Sequence, residues 1–147
     1  MRILLLGASG QVGHALQPHL ARLGTVDAPP RQALDLTDLT RAERAVAGYE
    51  LVVNAAAWTD VIGAETAPEA AWQLNAAVPE ALARGLARSG GVLLHYSTDY
   101  VFDGRAPPYS EEAMPAPLNA YGRSKLAGEQ AVLASGCVHW IVRSGWI

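Results

Sequence analysis

Lysine is almost missing from this sequence. Lys and Arg together number 11 in 147 residues, and only Lys125 is a lysine. Cysteine also occurs once, at Cys137, which excludes an internal disulfide and points to a reducing compartment. A small buried hydrophobe is the simplest account of that thiol. No apolar run approaches the roughly 18–20 residues of a membrane span, and no signal-peptide architecture opens the chain. The sequence therefore reads as cytoplasmic, with no membrane partner. His14, His19, His95 and His139 are scattered without metal-ligand spacing, so no metal site is expected. A net charge of −3 and a pI of ≈ 5.7 carry no electrostatic footprint for nucleic acid. Repeats, low-complexity segments and linkers are also lacking. What remains is one domain of 15.5 kDa, mean hydropathy +0.11, with 50% apolar residues to fill a core.

The chain opens on Arg2 to Leu6, a continuous apolar run suited to a central parallel strand. Gly7-Ala8-Ser9-Gly10-Gln11-Val12-Gly13 follows at once, and Val12, Leu16, Leu20 and Leu23 then recur at helical spacing. Strand, glycine turn and helix form the context of a dinucleotide site, where backbone approaches a pyrophosphate at a helix start. The spacing is G-x-x-G-x-x-G rather than the commoner G-x-G-x-x-G. Pro18 should kink this helix or end it a turn early. Thr25 to Ala28 reads as a second strand, and a helix is expected over Leu39 to Ala47. Leu51-Val52-Val53 is a buried strand that delivers Asn54-Ala55-Ala56-Ala57 to its carboxyl end, where ligands of open α/β sheets bind. Thr66-Ala67-Pro68-Glu69 has the form of a capping box opening a long helix to about Arg88, with Pro79 in conflict inside it. Val92 to Tyr96 is the next strand, ending in Ser97-Thr98-Asp99-Tyr100. A proline-rich loop leads to Asn119, the expected cap of a helix through Tyr121 and Lys125, and Val138 to Arg143 is the last strand. This alternation predicts an α/β, Rossmann-type doubly wound parallel sheet. Five strands are expected, six if Ala33 to Leu36 pairs.

Tyr121 and Lys125, four apart, share one face of their helix. A phenol has a pKa of ~10 and a lysine ~10.4, and an ammonium beside a phenol lowers its pKa by roughly 1–3 units. The pair can therefore supply a general acid or base. A half-buried tyrosine beside a solvated lysine is the bland alternative, which spacing alone leaves open.

Gly7/Gly10/Gly13, the Asn54-Ala55-Ala56-Ala57 segment, Ser97-Thr98 and Tyr121-x-x-x-Lys125 together resemble the extended short-chain dehydrogenase/reductases. Within them, Ser97-Thr98-Asp99-Tyr100-Val101-Phe102-Asp103-Gly104 and Pro117-Leu118-Asn119-Ala120-Tyr121-Gly122 resemble the dTDP-4-dehydrorhamnose reductase family. The resemblance runs over the whole sequence and implies NAD(P)H-dependent reduction of the 4-keto group of a dTDP-sugar, giving dTDP-L-rhamnose. It implies that Tyr121 protonates the developing alkoxide, that Lys125 holds the nicotinamide ribose and that Thr98 orients the carbonyl. It places cofactor contacts at Gly7, Ser9, Gly10, Gln11, Val12, Gly13, Arg31, Asp35, Leu36, Ala55, Ala56, Ala57 and Thr59, besides Tyr121 and Lys125. Substrate contacts fall on Thr98, Asp99, Tyr100 and Trp146. The family register puts the cofactor-discriminating position at Pro30, not Asp27. Arg31 next to it can fork onto a 2′-phosphate, so NADP(H) is expected over NAD(H), with both accepted.

The sequence departs from the family pattern in several places. Ile62 and Pro30 stand where acids are usual, and Arg143-Ser144-Gly145-Trp146 replaces Arg-Thr-Ser-Trp. Relatives also continue beyond the equivalent of Ile147 into most of a substrate domain. The expectation is thus one NAD(P)-binding Rossmann domain over 1–147, truncated before that part and slow in turnover by itself. Two non-catalytic readings stay open: an NADP-binding regulatory subunit resembling the β subunit of methionine adenosyltransferase, and an inactive Rossmann fragment. A homodimer is also left open.

Overall fold

The computed structural model describes residues 1–105 and 107–145. Five parallel strands, β1 (Arg2–Leu6), β2 (Thr25–Asp27), β3 (Leu51–Asn54), β4 (Val92–Thr98) and β5 (Val138–Ser144), lie in the order β2-β1-β3-β4-β5. Sequence order reverses direction between β1 and β3, where Leu6 pairs with Asn54 at the carboxyl ends. That topological switch point is where a doubly wound sheet opens a crevice. The expected fold class is therefore the observed one, with five strands. Residues 33–36 do not pair; Ala33 and Leu34 instead donate backbone bonds to the Pro30 carbonyl. Leu34 is then drawn into the core, so burial there comes from a turn.

Strand alternation sorts the core into two layers. Leu4, Leu6, Val52 and Leu93 face α2 (Leu39–Ala45), α5 (Val78–Ser89) and α6 (Ala120–Ala134). Ile3, Leu5 and Val53 face Leu16 and Leu20 of α1 (Gln11–Leu20). Each fully buried Leu, Ile or Val stabilises by about 1.5–3 kcal/mol against exposure. The helix α1 continues two residues past Pro18, with Ala21 N still donating to the Gln17 carbonyl, and Leu23 lies exposed beyond it. On β5, Ile141 and Arg143 turn toward the interior, while Val138, Trp140 and Val142 alternate outward and are exposed.

The long helix expected from Thr66 is broken up. Residues Val61–Thr66 form a short α3 capped by the Asp60 side chain, which accepts from Gly63 N at 2.9 Å. Thr66 is the end of that helix, not the cap of the next; its hydroxyl donates to the Gly63 carbonyl. Then come α4 (Pro68–Trp72) and one π turn, Gln73–Ala77, before α5. The π turn resolves the conflict at Pro79. It inserts an extra residue, with Val78 N bonding back to the Gln73 carbonyl, so Pro79 falls in the first turn of α5, where no N–H is needed.

Candidate active site

The carboxyl ends of β1, β3 and β4 open into one cleft of ≈ 1160 Å³. At its β1 side, Gly7 has φ +79, and a Cβ there would stand 2.6 Å from the Ala55 carbonyl carbon and the Ala56 nitrogen. Only glycine lets the two strand ends approach this closely. A Cβ on Gly13 would collide with the Gly7 carbonyl, so Gly13 seats α1 under the turn; it is buried and does not line the cleft. Gly10 differs from both. It is exposed at the cleft, and its Cβ would meet only the Gly7 carbonyl oxygen, at 3.4 Å. No side chain caps α1. Its first-turn N–H groups thus remain available to an anion, favoured there by the helix dipole.

The 30–37 turn lines the cleft on the β2 side. Asp35 accepts from Thr37 N at 3.0 Å and Thr37 Oγ1 at 2.8 Å, bonds that hold its carboxyl below the ordinary value. Arg31 lines the cleft beside it, exposed, and makes no ion pair among the described residues. Asp27 is committed elsewhere: it accepts from Tyr49 Oη at 2.8 Å and pairs with Arg2 at 3.5 Å. It does not line the cleft, whereas Pro30 and Arg31 do.

At the other end, β4 delivers Thr98 and α6 delivers Tyr121 and Lys125. The helix starts where Asn119 Oδ1 accepts from Gly122 N at 2.7 Å, the expected cap. Tyr121 is buried to 9% exposure and meets the Tyr100 ring edge-on at 5.6 Å. Burial raises its pKa above the usual value of a phenol, a hydrogen bond with the Thr98 side chain offsets part of this, and the charges of Asp99 and Tyr100 add to it. Lys125 is 2% exposed and donates from Nζ to the Tyr96 carbonyl at 2.6 Å. Burial pulls its pKa down to about 8, against the opposing charge of Glu129. Lys125 therefore does not acidify Tyr121 as their spacing predicts. The ammonium is turned to a backbone carbonyl, Tyr121 is desolvated, and its proton is held more tightly, not less.

Several polar groups of this site escaped the sequence reading. Asn75, buried in the π turn, accepts from Trp58 N at 2.8 Å and donates to the Trp58 carbonyl and Ser124 Oγ, both at 3.0 Å. It ties the segment after β3 to α6; the awkward Pro79 was the only sequence signal for the π turn that places it. His95 is fully buried beside Asn54 at 3.2 Å, with Nε2 unpartnered, and burial followed by the Lys125 charge keeps it neutral. Buried Glu129, one turn beyond Lys125, pairs with half-buried Arg143.

Of the residues proposed from sequence, the cleft gathers Gly7, Ser9, Gly10, Gln11, Val12, Arg31, Asp35, Leu36, Ala55, Ala56, Ala57 and Thr59 with Thr98, Asp99, Tyr100, Tyr121 and Lys125. Gly13 lies beneath it, and Trp146 lies outside the described residues. Among the described residues, no cluster of three or more His, Cys, Asp or Glu could hold a metal ion. No described helix is long and apolar enough to cross a membrane.

A glycine turn at the switch point, with Thr98, Tyr121 and Lys125 at the end of β4, defines an extended short-chain dehydrogenase/reductase domain. The RmlD substrate-binding-domain model matches residues 1–147, and the chain belongs to that family, that of the dTDP-4-dehydrorhamnose reductases. It is 44% identical over 152 residues to the dTDP-4-dehydrorhamnose reductase of Mycobacterium tuberculosis (strain CDC 1551 / Oshkosh), covering 99% of this chain and 50% of that one. Against the Escherichia coli (strain K12) reductase it is 42% identical over 154 residues, covering 100% and 52%. A crystal structure of the Bacillus anthracis reductase in complex with NADP superposes with a TM-score of 0.93 at 35% identity, covering 99% and 53%. One from Clostridium acetobutylicum gives 0.94 at 36%, covering 99% and 54%. The chain spans about half the length of the curated relatives it matches.

Proposed function

We propose that this domain binds NADP(H), accepts NAD(H) less well, and serves the reduction of dTDP-4-dehydro-L-rhamnose to dTDP-L-rhamnose. The observation that carries the reading is the meeting of Thr98, Tyr121 and Lys125 in the same cleft as the glycine turn. The B. anthracis relative's complex with NADP supports the cofactor assignment. The residues fit such a cofactor: Gly10 leaves room for a pyrophosphate under the uncapped start of α1, and Arg31 stands beside Asp35 with no ion pair among the described residues.

The bound nicotinamide would supply hydride to C4 of the sugar, and the protein the rest. Thr98 Oγ1 hydrogen-bonds the carbonyl oxygen and stabilises negative charge as it develops there. Tyr121 then gives its proton to that oxygen, leaving a C4 hydroxyl and a phenolate that solvent reprotonates. A phenol held protonated by burial suits this direction, since an alkoxide is far more basic than any phenolate. Lys125 leaves the Tyr96 carbonyl to hold ribose hydroxyls. Asp99 and Tyr100 face the sugar nucleotide. The test is fluorescence titration with NADPH, followed by incubation with dTDP-4-dehydro-L-rhamnose and analysis of the sugar nucleotide. Saturable binding with a C4-reduced product is expected. A folded chain that binds no NADPH overturns the reading.

A further inference from the structure

Tyr121, Lys125 and Glu129 fall at successive turns of α6, so the lysine of the site has a phenol one turn before it and a carboxylate one turn after it. That carboxylate is 1% exposed. An ionised carboxyl in such a place is costly unless paired and hydrogen-bonded. Its partner comes from β5: Arg143 donates from Nε to Oε1 at 2.9 Å and from Nη2 to Oε2 at 2.6 Å, a fork that occupies both oxygens. Lys125, the other cation within reach along the helix, makes no ion pair with Glu129 among the described residues; its Nζ goes to the Tyr96 carbonyl at the cleft. The other side of the guanidinium is covered by Phe102, whose centroid lies 5.0 Å away. Phe102 stacks on Tyr109 at 4.2 Å, and Tyr109 Oη donates to Asp103 at 2.7 Å. The loop after β4 thereby grips the same arginine.

We infer that Arg143 is a positioning residue for Lys125: by holding both oxygens of Glu129 it keeps the buried carboxylate from capturing the lysine, and leaves that ammonium at the cleft. The two cations compete for one anion. A planar fork wins because it satisfies both oxygens at once, whereas an ammonium on a flexible four-carbon stem can serve another acceptor. Without the fork, the lysine stem swings one turn along α6 and the ammonium leaves the cofactor side. The Phe102 stack extends this control to the loop that carries Asp99 and Tyr100, so a shift of that loop loosens the fork and alters where the lysine points. The inference rests on the reading that Lys125 serves the cofactor.

Because Lys125 is the only lysine, lysine labelled with ¹⁵N at Nζ and ¹³C at Cε gives a single side-chain signal whose titration reports this site directly. The titratable and charged groups around it are Tyr121 and Glu129 on its own helix and His95 on β4, with Arg143 behind Glu129 and Asp99, just after β4, acting on Tyr121; the π turn offers uncharged Asn75. Arg143→Gln should move the lysine titration to higher pH and weaken NADPH by roughly tenfold. Glu129→Gln breaks the same pair, but should move the titration to lower pH and weaken NADPH far less. The double variant should behave as Glu129→Gln does, and it carries the test if Arg143→Gln alone does not fold. A purely structural pair would make the two single variants equally poor binders. That equality, an unmoved lysine titration in Arg143→Gln, or a folded double variant still tenfold weaker for NADPH overturns the inference. Wild-type NADPH binding is read separately, and the lysine signal needs no cofactor, so failure of the cofactor reading stays distinct from failure of this one.

Discussion

Around Gly7 the cleft is made of backbone. Gly7, Gly10, Ala55 and Ala56 bring almost no side chain, and the start of α1 offers bare N–H groups. Around Lys125 it is made of side chains with their polar ends buried: His95, Ser97, Thr98, Ser124, Lys125 and Glu129 are all nearly inaccessible. One end binds by leaving things out, and a substitution there fails by steric collision. The other works by keeping polar groups out of water, and a substitution there fails by leaving one of them without its partner. The two ends should therefore respond to mutation in opposite ways.

The largest separation between them is expected from Tyr121→Phe. It removes one hydroxyl and keeps the ring against Tyr100, so proton delivery is lost while the fold and the glycine end stay intact. Turnover in any active form of the protein should fall about 10²–10⁴-fold, with NADPH affinity nearly unchanged. A variant that keeps most of its rate would remove Tyr121 from the mechanism. At the glycine end the same contrast is drawn by Gly7→Ala and Gly10→Ala. The first forces a Cβ to 2.6 Å from the backbone of Ala55 and Ala56 at a positive φ. It should destabilise by about 3 kcal/mol or more, through strain and displaced backbone. The second meets only one atom, at 3.4 Å, and should leave the melting temperature close to wild type while weakening NADPH. Equal losses of stability in both would show that Gly10 is packed, not open.

Legibility in the sequence followed this division. The backbone end rests on spacing: an apolar run, three glycines and a strand ending in alanines are visible because what matters is which side chains are missing. Tyr121 and Lys125 were legible from their spacing on one helix face, and Thr98 because the resemblance singled it out. The support behind them was not. Glu129 and Arg143 look like a solvated acid and base on a helix and a strand, since their burial depends on β5 packing under α6, a contact between residues 14 apart that no local period encodes. Asn75 was hidden for a different reason. A π turn has no periodic signature, and only the misplaced Pro79 showed that the helix could not be continuous. The failed cap at Thr66 has another origin: Asp60 caps the short helix α3, of which Thr66 is the last residue.

A smaller effect is expected from Arg31→Ala. Arg31 is exposed at the cleft and makes no ion pair among the described residues, so its removal disturbs no buried partner. A charge-assisted hydrogen bond to a 2′-phosphate contributes roughly 1.5–3 kcal/mol, or about ten- to over a hundred-fold in affinity. NADPH should weaken by that factor and NADH hardly at all, in parallel titrations. Equal weakening of both would mean that Arg31 shapes the 30–37 turn and does not read the phosphate.

The smallest effect is the pH dependence of stability, and it tests the claim that the β4/α6 end buries its polarity. Lys125 has a pKa of about 8 in the fold against 10.5 for an ordinary lysine. Between those values the unfolded chain binds more protons than the folded one, so the fold gains stability as pH rises through that window. Tyr121 and Tyr49 have pKa values raised by burial. An unfolded tyrosine loses its proton near pH 10 while these keep theirs, which opposes the gain above about pH 10. His95 stays neutral in the fold well below pH 6.5, so its own contribution rises only on the acid side and is complete by about pH 7. The region from about pH 8 to 10 thus belongs to Lys125, with an expected gain on the order of 1–2 kcal/mol once relaxation around the buried ammonium is allowed for. Denaturant unfolding without cofactor at pH 7, 8, 9 and 10 measures it. Lys125→Met should abolish the rise and, at neutral pH, stabilise the domain while weakening NADPH. If the rise persists in Lys125→Met, the lysine is not the group that titrates, and the contrast between a bare backbone end and an end of buried charge loses its thermodynamic support.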